Sequence, residues 1–213
     1  LALTCRDTVD FHENIYLREI TLTNLLNEKR SAEIFLCQDF DLYGNRVGDT
    51  AAYDPRSGGV VHYKASRYFL VNGCSQTLDR LSQFAVGNKN TGGKEGTFKD
   101  AEDGSLSGNP IAQGSVDSVV SLRIELEGKS SASAYYWICA AEDWNEVCRL
   151  DGLVRHKHPK GLFKRTSDYW RLWVRKENPP LEYLPQEVRR VAAEKGVVPD
   201  REQDWIGRLF GST

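Results

Sequence analysis

VDSVVSLRIELEGKSSASAYYWICAAEDWNEV, residues 116–147, decides the fold class. Val116, Ser118, Val120, Leu122, Ile124 and Leu126 share one side of an extended chain. Asp117, Ser121, Arg123 and Glu125 fall on the other, and this period of two belongs to a strand with one face in a core. Residues 128–131 turn the chain, and 134–140 return as a partner strand. That strand carries Tyr136 and Ile138 on one face and Tyr135 and Trp137 on the other. After Ala140 the period lengthens: Asp143 is placed to cap a helix carrying Trp144, Val147, Cys148 and Leu150.

Upstream of this hairpin the chain continues in strand periods. Residues 14–24 set Ile20 and Leu22 opposite Glu19 and Thr21. Residues 32–42 align Ala32, Ile34, Leu36, Phe40 and Leu42, with Gln38 interrupting the face. Residues 24–30, polar apart from Leu25 and Leu26, read as a hairpin connection between the two. Residues 60–64 and 67–71 predict a second hairpin closed at Ala65-Ser66. Downstream, Pro159 opens a helix in which Leu162, Phe163, Thr166, Tyr169, Trp170, Trp173 and Val174 form one stripe. Asn178-Pro179-Pro180 stops it, and amphipathic pieces follow at 185–195 and 200–210, separated by Gly196 and Pro199. The aromatic stripe is expected to be core, packed on a sheet or on a helical domain outside this chain. Strands first and helices last predict an antiparallel β domain over 1–141 with a helical linker or appendage over 142–213.

Composition narrows the function classes. The 213 residues carry 28 basic and 30 acidic side chains, a formal charge of −2, so no basic field for nucleic acid is present. With 40% hydrophobic and 27% charged residues the chain reads as globular, and no apolar run suits a membrane span. No signal-peptide layout is visible at the start. The length predicts one large domain or a domain and a half. Methionine is absent and residue 1 is Leu, so the chain is expected to be part of a longer translation product. Cys5, Cys37, Cys74, Cys139 and Cys148 lack metal-ligand spacing, as do His156 and His158. They predict free, mostly buried thiols in a reducing, cytoplasmic setting, with no metal and no cofactor.

The least ordinary segment is GNKNTGGKEGTFKDAEDGSLSGNPIAQGS, residues 87–115, with seven glycines and the carboxylates Glu95, Asp100, Glu102 and Asp103. A connection of this length inside a domain is functional more often than most. Phe98, Leu106 and Ile111 are expected to pin it. Three roles stand open for Asp100, Glu102 and Asp103: capping the loop internally, contacting a sugar or another domain, and binding calcium. Asp39 and Asp49 are expected to order loops by accepting backbone N–H groups, and Asp54-Pro55 is turn chemistry.

Several blocks together resemble the N-terminal β-sandwich domain of prokaryotic glycoside hydrolase family 15, which includes glucoamylases, glucodextranases and trehalases. The carrying stretches are ENIYLREITLTN (13–24), CQDFDLYGNRVGDTAAYDP (37–55), VVHYKASRYFLVNG (60–73), GTFKDAEDGSLSGNPIAQGSVDS (96–118), YYWICAAEDWNEV (135–147) and TSDYWRLW (166–173). The resemblance implies an antiparallel super-β-sandwich of the galactose mutarotase-like kind, then a helical linker. A six-fold α/α toroid with two catalytic Glu residues would follow, one general acid and one general base in an inverting attack on an α-glucosidic bond. No catalytic residue carries over, because the toroid has no counterpart in these residues. In the family several strands precede the equivalent of FHENIYLREITLTN, so the first strands are expected to be missing and sheet edges exposed.

The function this implies is an accessory, carbohydrate-associated sandwich packing against a toroid or partner chain, with α-linked glucosides as possible ligands. Candidate substrate or domain-contact residues are Asp39, Tyr43, Asp49, Asp100, Glu102, Asp103, Asn109 and Gln113, with the 96–115 loop facing the toroid. Two alternatives remain: a stand-alone mutarotase-like enzyme using His62 or His12, and a module that oligomerises through its strand edges.

Overall fold

The computed structural model describes residues 1–45, 47–89, 95–177 and 190. The chain forms two compact units, Leu1–Lys164 and Arg165–Thr213. The first contains β1 (Ala2–Val9), β2 (Ile15–Thr23), β3 (Arg30–Gln38), β4 (Asp49–Asp54), β5 (Gly59–Lys64), β6 (Arg67–Ser75), β7 (Gln83–Asn88), β8 (Ile111–Gly114), β9 (Val116–Leu126) and β10 (Ser131–Ala141). Two helices follow, α1 (Trp144–Lys157) and α2 (Pro159–Glu177).

A seven-stranded sheet runs β1-β2-β10-β6-β5-β4-β8, and a three-stranded sheet runs β3-β9-β7. Every strand pair is antiparallel. The two sheets close on one apolar layer that includes Ile20, Leu22, Val71, Val120, Leu122, Ile124 and Tyr136. The period-two reading of β9 is therefore the core reading: Val120, Leu122, Ile124 and Leu126 are all buried. Gly73 on β6 is what lets the sheets approach. A Cβ there would lie 2.8 Å from a methyl of Leu122 and 2.8 Å from the Tyr135 carbonyl.

The large sheet is apolar on its other face too. Ile15, Leu17, Leu70, Trp137 and Cys139 pack there with Val147, Leu150 and Val154 of α1 and with Leu162. Asp143 caps α1, its carboxylate accepting the Glu146 amide at 2.9 Å. Asp151 anchors α1 from within. Its carboxylate is 5% exposed and accepts the Trp137 indole N–H at 2.8 Å, the Asn72 amide at 3.1 Å and Arg155 Nε at 3.0 Å. Arg155 reaches on to the Ser57 carbonyl at 2.7 Å.

The structure departs from the sequence reading at definite places. The strands expected to form hairpins across 128–131 and across 24–30 do not pair: β9 bonds to β3 and β7 in one sheet while β10 bonds to β2 and β6 in the other, so both connections cross between the sheets. Strand β3 ends at Gln38, not at Leu42, because Gln38 turns inward to a buried polar chain and Phe40 leaves the strand to stack on Phe69, ring centroids 5.0 Å apart. Residues 2–9, 49–54, 83–88 and 111–114 are strands that the sequence pattern did not announce. The 87–115 segment is not structureless, since β7 enters it, a 3-10 turn spans Thr97–Ala101 and β8 closes it. Of the three apolar residues expected to pin it, Phe98 is 46% and Ile111 59% exposed, and only Leu106 is partly buried. All five cysteines are free, yet only Cys74 and Cys139 are buried, while Cys5 and Cys37 are exposed.

In the second unit, Trp170 and Trp173 are half exposed and meet each other and Tyr169 edge to face, at 6.0 and 5.4 Å between centroids. The stripe is thus divided: Leu162 at its start is buried core, whereas Tyr169, Trp170 and Trp173 form a mutually packed, half-exposed aromatic face. The Asn178-Pro179-Pro180 stop and the pieces at 185–195 and 200–210 lie outside the described residues. No helix among those described is long and apolar enough to cross a membrane.

Candidate functional site

Two surface hollows collect four of the eight candidate residues, Asp39 and Tyr43 in one and Asp100 and Asn109 in the other. The first lies where the chain leaves β3 and meets the β5–β6 hairpin, lined by Asp39, Phe40, Asp41, Tyr43, Arg67 and Phe69 among others. Tyr43 has φ 58° and ψ 22°, a left-handed backbone uncommon for a side chain this large. The residue is 44% exposed, its hydroxyl lies 3.0 Å from that of Ser66, and the Arg67 guanidinium sits 4.3 Å from the ring centroid.

Asp49 supports this loop from below. One of its oxygens accepts the Leu42 amide at 3.2 Å, and the other lies 2.9 Å from the Lys64 ammonium. Lys64 in turn donates to the Leu42 carbonyl at 3.3 Å and to the Asn45 side chain at 2.5 Å. Asp49 is 2% exposed, so it shapes the hollow without being able to touch a ligand in it. Among the described residues Asp39 accepts no backbone amide. It pairs with Lys89, whose ammonium also lies 3.1 Å from Asp41. Lys89 is buried, and burial pulls its pKa below the ordinary lysine value while Asp117 opposes that shift.

The second hollow lies under the glycine-rich loop, bordered by Asn88, Thr97, Lys99, Asp100, Ser107 and Asn109 among others. Here the loop is held by polar side chains. Asp117 accepts the Thr97 amide at 2.7 Å and the Thr97 hydroxyl as well. Asp100 accepts the Ser107 amide at 2.6 Å, and Asp103 the Ser105 amide at 2.9 Å. Asn109 donates to the Val86 carbonyl at 2.5 Å. Of the three open roles for these acids, internal capping is the one Asp100 and Asp103 occupy. Glu102 closes the 3-10 turn through its backbone, and Gln113 is an exposed residue of β8. Among the described residues no three His, Cys, Asp or Glu side chains are grouped to hold a metal ion.

His62 belongs to neither hollow. It is 1% exposed, and its Nε2 lies 2.7 Å from the Ser118 hydroxyl, which donates to Gln38 Oε1 at 2.9 Å. Gln38 donates onward to the Tyr136 hydroxyl at 3.2 Å. Ser118 spends its one proton on Gln38, so Nε2 of His62 carries the ring proton and donates. Nδ1 is then a lone pair with no donor opposite it. Burial pulls the His62 pKa from 6.5 down to about 4. A ring so enclosed is a structural element of the sandwich and is not available to a sugar. His12 is exposed and meets Phe11 at a 6.3 Å centroid separation.

The sequence reading named Asp39, Tyr43 and Asp100, which border the hollows, but not Arg67, Lys89 and Lys64, which line or brace the first of them. Each is a lone cation among polar residues, with no spacing that signals a partner far along the chain.

No family model matches the chain, and no curated protein matches it. Among solved structures the chain is similar to a bacterial glucoamylase complexed with acarbose, with a TM-score of 0.58 and 8% sequence identity. The match covers 81% of this chain and 24% of that chain, so this chain spans about a quarter of that protein's length. Similarity at this identity is similarity of fold: the antiparallel sandwich is glucoamylase-like.

Proposed function

We propose that this chain is an accessory, carbohydrate-associated β-sandwich of the glycoside hydrolase family 15 type, non-catalytic alone and packing against a catalytic α/α toroid. The observation that carries the reading is the glucoamylase-like fold over 81% of the chain, in a protein whose structure holds acarbose. The use made of the carboxylates supports the non-catalytic part. Inverting hydrolysis needs two carboxyl groups facing a substrate across roughly 6.5–9.5 Å. Here Asp100, Asp103 and Asp117 are spent on backbone amides, and Asp49 on Leu42 and Lys64. The loop over 96–115, held by those bonds, is the element offered to the toroid.

The direct test is a glucose-release assay on maltose and trehalose with the purified chain. No release above buffer is expected; turnover without added protein would end the non-catalytic reading. A second reading, self-association, is favoured by the exposure of β1, the outermost strand of the large sheet. A single monomeric species by light scattering at micromolar concentration would remove it.

A further inference from the structure

We propose that the open flank of the sandwich, between the free edges of β1 and β3, is the interface of a two-fold homodimer in which β1 of each copy adds to β3 of the other. Such a dimer goes beyond the accessory reading and rests on the self-association reading, to which it gives an interface.

The two flanks of the sandwich differ. On one, the region of β7 and the region of β8 are tied together. The Val86 amide donates to the Asn109 carbonyl and the Lys89 amide to the Ser115 carbonyl, both at 3.0 Å, and the Asn88 side chain to the Gln113 carbonyl at 2.8 Å. On the other, β1 ends the seven-stranded sheet and β3 ends the three-stranded one. Among the described residues no backbone hydrogen bond joins those two strands. Register with β2 sets Leu3 opposite Leu22, Cys5 opposite Ile20 and Val9 opposite Tyr16, on the face that carries the core. Yet Leu3 is 56% and Val9 62% exposed, and Cys5 is exposed, whereas Leu22 and Ile20 are buried. Ala32, Ile34 and Leu36 of β3 face the same layer from the other sheet and are only partly buried. The small sheet thus stops short of β1 and leaves apolar side chains and two strand edges in solvent.

A second copy fits because one chain carries both halves of the contact. A single foreign strand laid along β3 would still leave β1 an edge. A two-fold axis along the strands brings the large sheet of one copy level with the small sheet of the other, so β1 meets β3 twice and both edges end in one step. The lengths match, with eight residues in β1 and nine in β3. Strand β2 runs against β1, and the chain passes from β2 directly into β3, so β1 and β3 run the same way. The axis keeps that direction, and the added strand is parallel. Charge then fits as well. Arg6, paired with Glu19 and still 66% exposed, points outward on β1, as Glu33 does on β3. In the register that sets Arg6 of one copy beside Glu33 of the other, Cys5 lies beside Ala32 and Val9 beside Leu36 on the inward faces. Asp7 and Arg18, which point inward, are already joined at 2.7 and 2.9 Å and enter the interface as a neutral pair.

Sedimentation velocity on the full chain under reducing conditions, from about 0.05 to 50 µM, tests the proposal with wild type, Leu3→Asp, Val9→Asp and Ile111→Asp. The wild type is expected to pass from monomer to dimer with a Kd on the order of 1 µM. Leu3→Asp and Val9→Asp should each raise that Kd at least about tenfold, while Ile111→Asp, an exposed apolar position on β8, leaves it unchanged. Leu3 and Val9 are exposed within the chain, and thermal melts at the dilute end check that their variants fold. Amide exchange adds a second readout: β1 amides, fast in the dilute monomer, should slow at least about tenfold at the concentrated end. A wild type that stays monomeric throughout would overturn the interface and the self-association reading together, leaving the accessory reading to the glucose-release assay. A dimer that survives both β1 variants would overturn this interface and keep self-association. Species larger than the dimer would overturn the two-fold closure.

Discussion

Asp151 shows how much one buried side chain can decide. It meets α1, β10 and β6 at once through Arg155, Trp137 and Asn72. Asp151→Ala leaves the indole N–H and one of the two Asn72 amide protons without an acceptor beneath the helix, the other still reaching the Ser57 carbonyl, which predicts a loss of about 3 kcal/mol. Asp151→Asn keeps the acceptor oxygen and should cost about 1 kcal/mol. Urea unfolding of the two variants measures the difference, and equal losses would contradict this account of the anchor. His62 makes a pH prediction. Its native pKa lies below its unfolded value, so the unfolded chain takes up a proton that the native chain refuses. Its contribution is fully present above pH 6.5 and is lost as pH falls towards 4, to a total of roughly 3 kcal/mol. His62→Gln should flatten the stability profile over that interval; a profile as steep as the wild type's would show that another group is responsible.

At the scale of elements, exposure and strand order rank the sandwich. Strand β9 is central in its sheet and buried along most of its length, whereas β1 is an outermost strand exposed at nearly every position. Hydrogen exchange should therefore protect β9 amides most and release β1 amides at least about tenfold faster. Equal protection would mean that another chain covers the β1 edge. The same contrast explains what could be read in advance. β9, β10, β2 and the β5–β6 hairpin announce themselves because one face is apolar at every second residue. β1, with Arg6 and Asp7 at its centre, has no such face, since its sheet position leaves it in solvent. β4 and β8 are built partly from alanine and polar residues and run for six and four residues, too little for a period to register. The candidate site was legible only on its acidic and aromatic side. Asp39 and Tyr43 stand in a conspicuous polar block, while the cations that organise them, Lys89, Lys64 and Arg67, arrive from other strands and loops. Pairing of that kind is a property of the fold, invisible along the chain.

For the whole molecule, the two faces of the large sheet have different tasks. One closes the sandwich against β3-β9-β7, and the other carries α1. The hollows lie beside polar braces, one made by Asp49 and Lys64 and the other by Asp117. The proposed function as a whole is that the chain associates with α-glucosides without cleaving them. A time course of proton NMR spectra on the chain mixed with maltose tests both halves in one tube. The account predicts saturation transfer from protein to maltose protons and no glucose signals accumulating over hours. Absence of transfer, or the appearance of free glucose, would contradict it.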